Sequence, residues 1–196
     1  MVIGITGGIG SGKSFVSKEF CSFPNTVYYH ADEEAKSLMN SSKVLRKNII
    51  EAFGEESYVD NQLNRKYLAD KVFGNKTELE KLNSIVHPEV YRHLKLFIEN
   101  NADKDYVLYE NAILFENKSD LYCDFIITVF TDEAVRIDRV MKRDQVSKAE
   151  VESRIQHQMS DQKKILLSNY IIDNNGLLPL EDQIVKIHNI LTKKKV

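Results

Sequence analysis

The sequence predicts an α/β fold of three layers, with a five-stranded parallel sheet between helices, and three observations support that prediction. Short β-branched or aromatic runs alternate with stretches whose apolar residues recur every three or four positions, the alternation that builds parallel sheets. The first such run, residues 2–6, stops at Gly7 and Gly8, and a helical pattern follows at once. The composition is that of a folded chain: 42% hydrophobic and 29% charged residues, with only 8 Gly and 3 Pro in 196, exclude a collagenous or disordered protein.

Each element has its own warrant. Val2, Ile3 and Ile5 read as a buried strand. From Lys13 to Cys21, Phe15, Val16 and Phe20 recur at helical spacing. Phe23, Pro24 and Asn25 break the pattern before Val27, Tyr28 and Tyr29 suggest a second strand, which completes a βαβ unit. Residues 31–100 read as largely helical, with Leu38, Met39, Leu45, Ile49, Ile50 and Phe53 in register and Thr77 and Glu80 at capping-box spacing. So long an insert between strands is expected to form a lobe. Residues 106–109 and 125–130 are two further buried strands. A helix from Glu133 places Val135, Val140 and Met141 on its apolar side, and Ser147 with Glu150 caps the next, which runs through the polar residues 152–164 as a solvated flap. Residues 170–172 form the last strand, Asn174, Asn175 and Gly176 a turn, and residues 180–191 a closing amphipathic helix. Lys193, Lys194 and Lys195 complement its C-terminus and stay solvated.

Charge and cysteine usage narrow the function. With 27 Lys and Arg against 29 Asp and Glu, the net charge of −2 supplies no field that would draw the chain onto nucleic acid or an anionic membrane. Any anion must be gripped locally. Cys21 and Cys123 stand far apart without a Cys/His grouping, which argues against zinc or a disulfide scaffold and makes the cytoplasm the expected location. The first residues carry no basic leader, and no run approaches the ~20 apolar residues of a membrane span. No nucleic-acid, membrane or obligate protein partner is expected.

The strongest motif is Gly7, Gly8, Ile9, Gly10, Ser11, Gly12, Lys13 and Ser14, a GxxxxGK[ST] segment placed between a strand and a helix as its mechanism requires. Its glycines admit backbone conformations that turn successive N–H groups onto phosphate oxygens, with the positive end of the helix dipole beneath them. Lys13 then reaches the β- and γ-phosphates of ATP and Ser14 ligates Mg²⁺. A chance match on a glycine-rich turn is the competing explanation, which the strand and helix flanks weaken. A GTPase would need a guanine-reading NKxD segment; the only near match, Asn75, Lys76, Thr77 and Glu78, ends in Glu. A small-molecule kinase is the economical remainder. Asp32 follows the second strand closely, where a carboxylate can orient a hydroxyl and take its proton during phosphoryl transfer. Grouped with Glu33 and Glu34 at a helix start, it can equally serve as a capping or first-turn acid.

Six segments in order make the chain resemble the dephospho-CoA kinase family: GITGGIGSGKS at residues 4–14, ADEEAK at 31–36, LNSIVHPEV at 82–90, ILFE at 113–116, KRDQVS at 142–147 and YIIDNNG at 170–176. The resemblance covers residues 2–185. It implies a phosphate-loop kinase fold and ATP-dependent phosphorylation of the ribose 3′-hydroxyl of dephospho-CoA, with residues 32–101 as the acceptor lobe and 139–164 as the lid. It places Asp32 at the catalytic aspartate. His30 stands where the family has a second Asp and is expected to be a strand-end polar residue. Thr6 and the loop belong to the nucleotide site together with Phe15, which replaces a common Thr and is assigned to core packing.

Glu110 stands where the family has Asp at the end of the third strand, able to hold Mg²⁺ through water or to meet the acceptor, and Ala112 replaces a usual Pro. Glu116 is a further rim acid, and loop solvation explains both acids equally well. His87 and Pro88 match the family's His-Pro pair, with His87 at the acceptor site or at a helix boundary. Arg136, Arg139 and Arg143 lie on one side of a helix. Arg143 is the lid guanidinium expected over the phosphoryl group and Arg154 a weaker candidate, against a solvated face paired with Asp132, Asp138 and Glu150. Asn174, Asn175 and Gly176 fall where the related fold passes the adenine, although turn chemistry also explains them. A nucleoside or nucleoside monophosphate kinase shares the loop and lid, and a nucleotide-dependent binding switch shares the loop alone.

Overall fold

The computed structural model describes residues 1–193; Lys194 and Lys195, read above as solvated, lie outside the described residues. Along the chain the elements are β1 (Val2–Thr6), α1 (Lys13–Phe20), β2 (Thr26–His30), α2 (Ala31–Ser41), α3 (Lys43–Phe53), β3 (Tyr58–Val59), β4 (Gln62–Leu63), α4 (Arg65–Val72) and α5 (Lys76–Asn100), then β5 (Tyr106–Glu110), β6 (Phe125–Phe130), α6 (Glu133–Asp144), α7 (Lys148–Gln156), α8 (Asp161–Leu167), β7 (Tyr170–Asp173) and α9 (Leu180–Lys193). They fall into two units, one of residues 1–29 with the chain from Asn101 onward, the other His30–Asn100. Among the described residues no helix is long and apolar enough to cross a membrane.

In the larger unit β1 is buried along its whole length and lies at the centre of a sheet of order β2-β5-β1-β6-β7. Its parallel neighbours align Ile5 with Glu110 and Thr6 with Thr128. Strand side chains alternate between faces, and that alternation defines the layers. Ile3, Ile5, Tyr106, Leu108, Ile127 and Val129 point to one face, where Val16 and Phe20 of α1 and Ile184, Ile187 and Leu191 of α9 close the core. Thr128, between Ile127 and Val129, points the other way and donates to the Lys164 carbonyl on α8 at 3.4 Å. Helices therefore cover both faces. Gly4 also faces the second layer, where a Cβ would come within 2.8 Å of Cys123 Sγ.

The smaller unit has a core of its own, with Leu38, Leu45, Ile49, Phe53, Leu68, Val86, Val90 and Leu94 buried. It differs from a purely helical reading at residues 58–63, where β3 and β4 pair antiparallel. Asp60 and Asn61 form the turn at φ 49° and 64°, a left-handed pair that Asp and Asn tolerate without glycine. The cap of α5 also differs: the Asn75 side chain accepts from Glu78 N, so Thr77 and Glu80 form no capping box. The box at Ser147 and Glu150 is present. On α6, Val135 is exposed, while Arg136, Ile137 and Val140 are buried. The polar run after Ser147 is broken between α7 and α8, where Ser160 caps the second helix.

Candidate active site

Parallel strands deliver their C-terminal ends to one edge of a sheet, and in α/β folds that edge is where ligands bind. In the larger unit this edge carries Thr6, Glu110, Asn111, Thr131 and Asn174. Residues 7–14 leave it as a loop whose carbonyls are nearly all held. Lys13 Nζ donates to the Gly7 and Gly8 carbonyls at 3.0 and 3.2 Å. Thr131 Oγ1 and Asn174 Nδ2 donate to the Ser11 carbonyl at 3.0 and 2.8 Å, and Arg136 to the Ile9 carbonyl at 3.4 Å. In a trans peptide the carbonyl and the following N–H point opposite ways, so fixing the carbonyls sets the directions of the amides. Gly10 and Gly12 need φ of 81° and 91°. Gly8 is required for a different reason, because a Cβ there would lie 1.9 Å from the Arg136 guanidinium.

Glu110 is not solvated as a loop acid would be; it is 2% exposed. As the last residue of β5 it shares the face of Tyr106 and Leu108, which turns its carboxylate onto α1. There it accepts from Ser14 Oγ at 2.8 Å, from Ser17 Oγ at 2.9 Å and from the Tyr28 hydroxyl. Burial first, then the adjacent carboxylate, raises the Tyr28 hydroxyl far above its ordinary pKa, so it remains a donor. A serine hydroxyl and an ionisable carboxylate side by side are hard oxygen ligands of the kind Mg²⁺ takes, and together they fit that ion. Neither Ser17 nor Tyr28 belongs to a motif that marks it in the sequence. Ser17 was legible at three residues beyond Ser14 on the same helix face, whereas Tyr28 carries no local signal.

Phe15 is not in the core; at 58% exposure it lines a cleft of about 240 Å³ with Gly10, Gly12, Lys13, Ser14, Arg139 and Arg143. The three arginines of α6 have different surroundings, and among the described residues none forms an ion pair with Asp132, Asp138 or Glu150. Arg136 is buried and bonded to Asp161 at 2.7 Å. Arg143 is held by both oxygens of Asp144 at 2.7 and 3.0 Å, and Arg154 reaches the same carboxylate at 2.9 Å. Those guanidinium groups, Arg143 first, hold the Asp144 carboxyl below its usual range. Arg139 has only neutral oxygens, Thr131 Oγ1 at 3.5 Å and the Asn174 carbonyl at 3.3 Å, and no carboxylate partner among the described residues. Asn175 Oδ1 accepts from Asp132 N at 2.8 Å, which anchors the turn after β7.

Glu116 is drawn into an ion pair with Lys164 at 3.0 Å and accepts from Met159 N at 2.7 Å. Lys164 is fully buried, a position its polar neighbourhood in the sequence did not suggest. Burial lowers its pKa, and the Glu116 carboxylate opposes that shift.

The smaller unit holds Asp32 and His87. Asp32 is exposed on the first turn of α2, directly after β2 in the chain, with Glu33 and Glu34 beside it. The cap position itself belongs to His30, which makes no side-chain cap bond. His87 precedes Pro88 inside α5, and burial lowers its pKa, which favours the neutral imidazole.

The family model for dephospho-CoA kinase matches residues 1–179. A dephospho-CoA kinase of Salinibacter ruber is 40% identical over 179 residues, covering 90% of this chain and 89% of the relative. A crystal structure from Thermus thermophilus, 30% identical, superposes with a TM-score of 0.79 over 97% of this chain and 96% of that one. The dephospho-CoA kinase from Campylobacter jejuni, 21% identical, shares the fold at a TM-score of 0.64 over 98% and 97% of the two chains. A phosphate loop ending in Ser14, a buried carboxylate facing it and a match running nearly end to end lead to one assignment: the chain belongs to the dephospho-CoA kinase family.

Proposed function

We propose that the chain transfers the γ-phosphoryl group of ATP to the ribose 3′-hydroxyl of dephospho-CoA, giving coenzyme A and ADP. The observation that carries this reading is the loop of residues 7–14, its carbonyls pinned by side chains and its Ser14 hydroxyl 2.8 Å from the Glu110 carboxylate, in a chain of this family. Residues 10–14 cradle the polyphosphate with their N–H groups, and Lys13 neutralises the β- and γ-phosphates. Ser14, with Glu110 through a water, would hold Mg²⁺, which when bound would neutralise charge on the polyphosphate. Arg139 and Arg143 line the same cleft and supply positive charge to the nucleotide. Asp32 orients the acceptor hydroxyl and takes its proton, and its exposure leaves it open to a ligand. His87 and residues 32–101 serve the acceptor, and residues 139–164 with Arg154 close over the nucleotide to exclude water. Burial pushes the Cys21 and Cys123 thiols up to about 11 and about 12, so both stay protonated thiols, as suits a reducing compartment.

The test is ADP release measured across dephospho-CoA, AMP, CMP and nucleosides. Preference for dephospho-CoA is expected. Preference for a nucleoside monophosphate, or stimulation by no acceptor, would replace the reading with a nucleotide kinase or a binding switch.

A further inference from the structure

Ile9 of the phosphate loop is engaged at its side chain, carbonyl and N–H by the segment from α6 to the α7–α8 connection. The Ile9 side chain packs against the small core of Ile137, Val140 and Val151. Its carbonyl accepts from Arg136 at 3.4 Å, and its N–H donates to Gln158 Oε1 at 2.8 Å. Arg136 in turn is bonded to Asp161 at the start of α8.

Peptide geometry explains why this N–H needs an acceptor outside the loop. The Gly8 carbonyl is drawn inward, to Lys13 Nζ at 3.2 Å and to Ser11 N at 3.1 Å. The peptide is trans, so the Ile9 N–H points the opposite way, out of the loop and toward the α7–α8 connection. The next peptide is reversed: the Ile9 carbonyl is turned out to Arg136, and the Gly10 N–H is turned in. The two units share the Ile9 Cα, so the set of the Gly8–Ile9 peptide, together with the hold of Arg136 on the next, aims the Gly10 N–H. Glutamine suits the task, because its amide oxygen accepts the bond without placing a negative charge beside the nucleotide.

We propose that Gln158 is a positioning residue for ATP, fixing the plane of the Gly8–Ile9 peptide by fastening the α7–α8 connection to the phosphate loop. The inference rests on the reading of residues 7–14 as the ATP site. It makes the grip on the nucleotide depend on a side chain that lies outside the loop.

The test is Gln158→Met, which keeps the side-chain volume and removes the acceptor. Titration of a fluorescent ATP analogue, without any acceptor substrate, is expected to give a Kd raised about five- to ten-fold, the effect of leaving one amide unsatisfied. The KM for ATP rises by the same factor while kcat and the KM for dephospho-CoA stay at wild-type values, and the thermal midpoint falls only by what the loss of one part-buried hydrogen bond costs. A role in structure alone would lower the midpoint and leave the Kd for the analogue unchanged. Unchanged or tighter analogue binding overturns the proposal, as does a loss confined to kcat or to stability. Wild-type protein that binds the analogue but phosphorylates no acceptor would refute the proposed function and leave the Gln158 comparison standing. Wild-type protein that binds no analogue refutes both.

Discussion

Two carboxylates, Glu110 in the larger unit and Asp32 in the smaller, have opposite surroundings. Glu110 is buried at a strand end and accepts from Ser14, Ser17 and Tyr28, so its position is settled before any ligand arrives. Asp32 is exposed on the first turn of a helix. A group that organises a cation must be preorganised, because reorganisation during the reaction costs rate. A group that takes a proton from an incoming alcohol must be reachable. If the proposed roles hold, burial is what separates the two kinds of acid in this chain, although the sequence presents both as acids next to strand ends.

The largest expected effect comes from Lys13, whose charge the proposed transfer needs whichever acid is altered. Lys13→Ala is expected to lower transfer by more than about 10²-fold and to abolish ATP binding in a nucleotide titration, since it removes preorganised charge from the phosphates. Next, Asp32→Asn should lower kcat by roughly 10²–10⁴-fold with the Kd for ATP unchanged, the signature of a lost base. Glu110→Gln should give the opposite profile, with the Mg²⁺ concentration for half-maximal rate raised about 10-fold or more. Equal profiles for the two variants would erase the distinction. Gly8→Ala forces a Cβ into the Arg136 guanidinium and should cost about 1–3 kcal/mol in denaturant unfolding.

The smallest effect belongs to His87. Burial lowers its pKa in the folded chain, so as pH falls the unfolded chain takes up its proton first. The stability held above the unfolded value of about 6.5 is lost as pH falls through the folded value. Unfolding of His87→Gln followed between neutral and mildly acid pH should show a shallower loss than wild type.

What was legible followed from local physics. The phosphate loop could be read because its glycines, lysine and serine act through the backbone of one short segment, and the five strands because each is an apolar run. The hairpin at residues 58–63 escaped because its strands are two residues long and its turn uses Asp60 and Asn61 without glycine. Phe15 fitted the helical period of Val16 and Phe20, yet only tertiary packing decides which face of a short helix is covered, and it is exposed. Lys164 and Gln158 lay in a polar run that read as solvated. Their partners, Glu116 and the Ile9 amide, are 48 and 149 residues away, a separation no local pattern encodes.

The most direct test of the central claim is mass spectrometry of dephospho-CoA after incubation with ATP, Mg²⁺ and the protein. The account predicts a product one phosphoryl heavier, with the phosphate on the ribose 3′-oxygen, formed in step with ADP. Unmodified dephospho-CoA beside hydrolysed ATP, or a phosphate on any other oxygen, would contradict it.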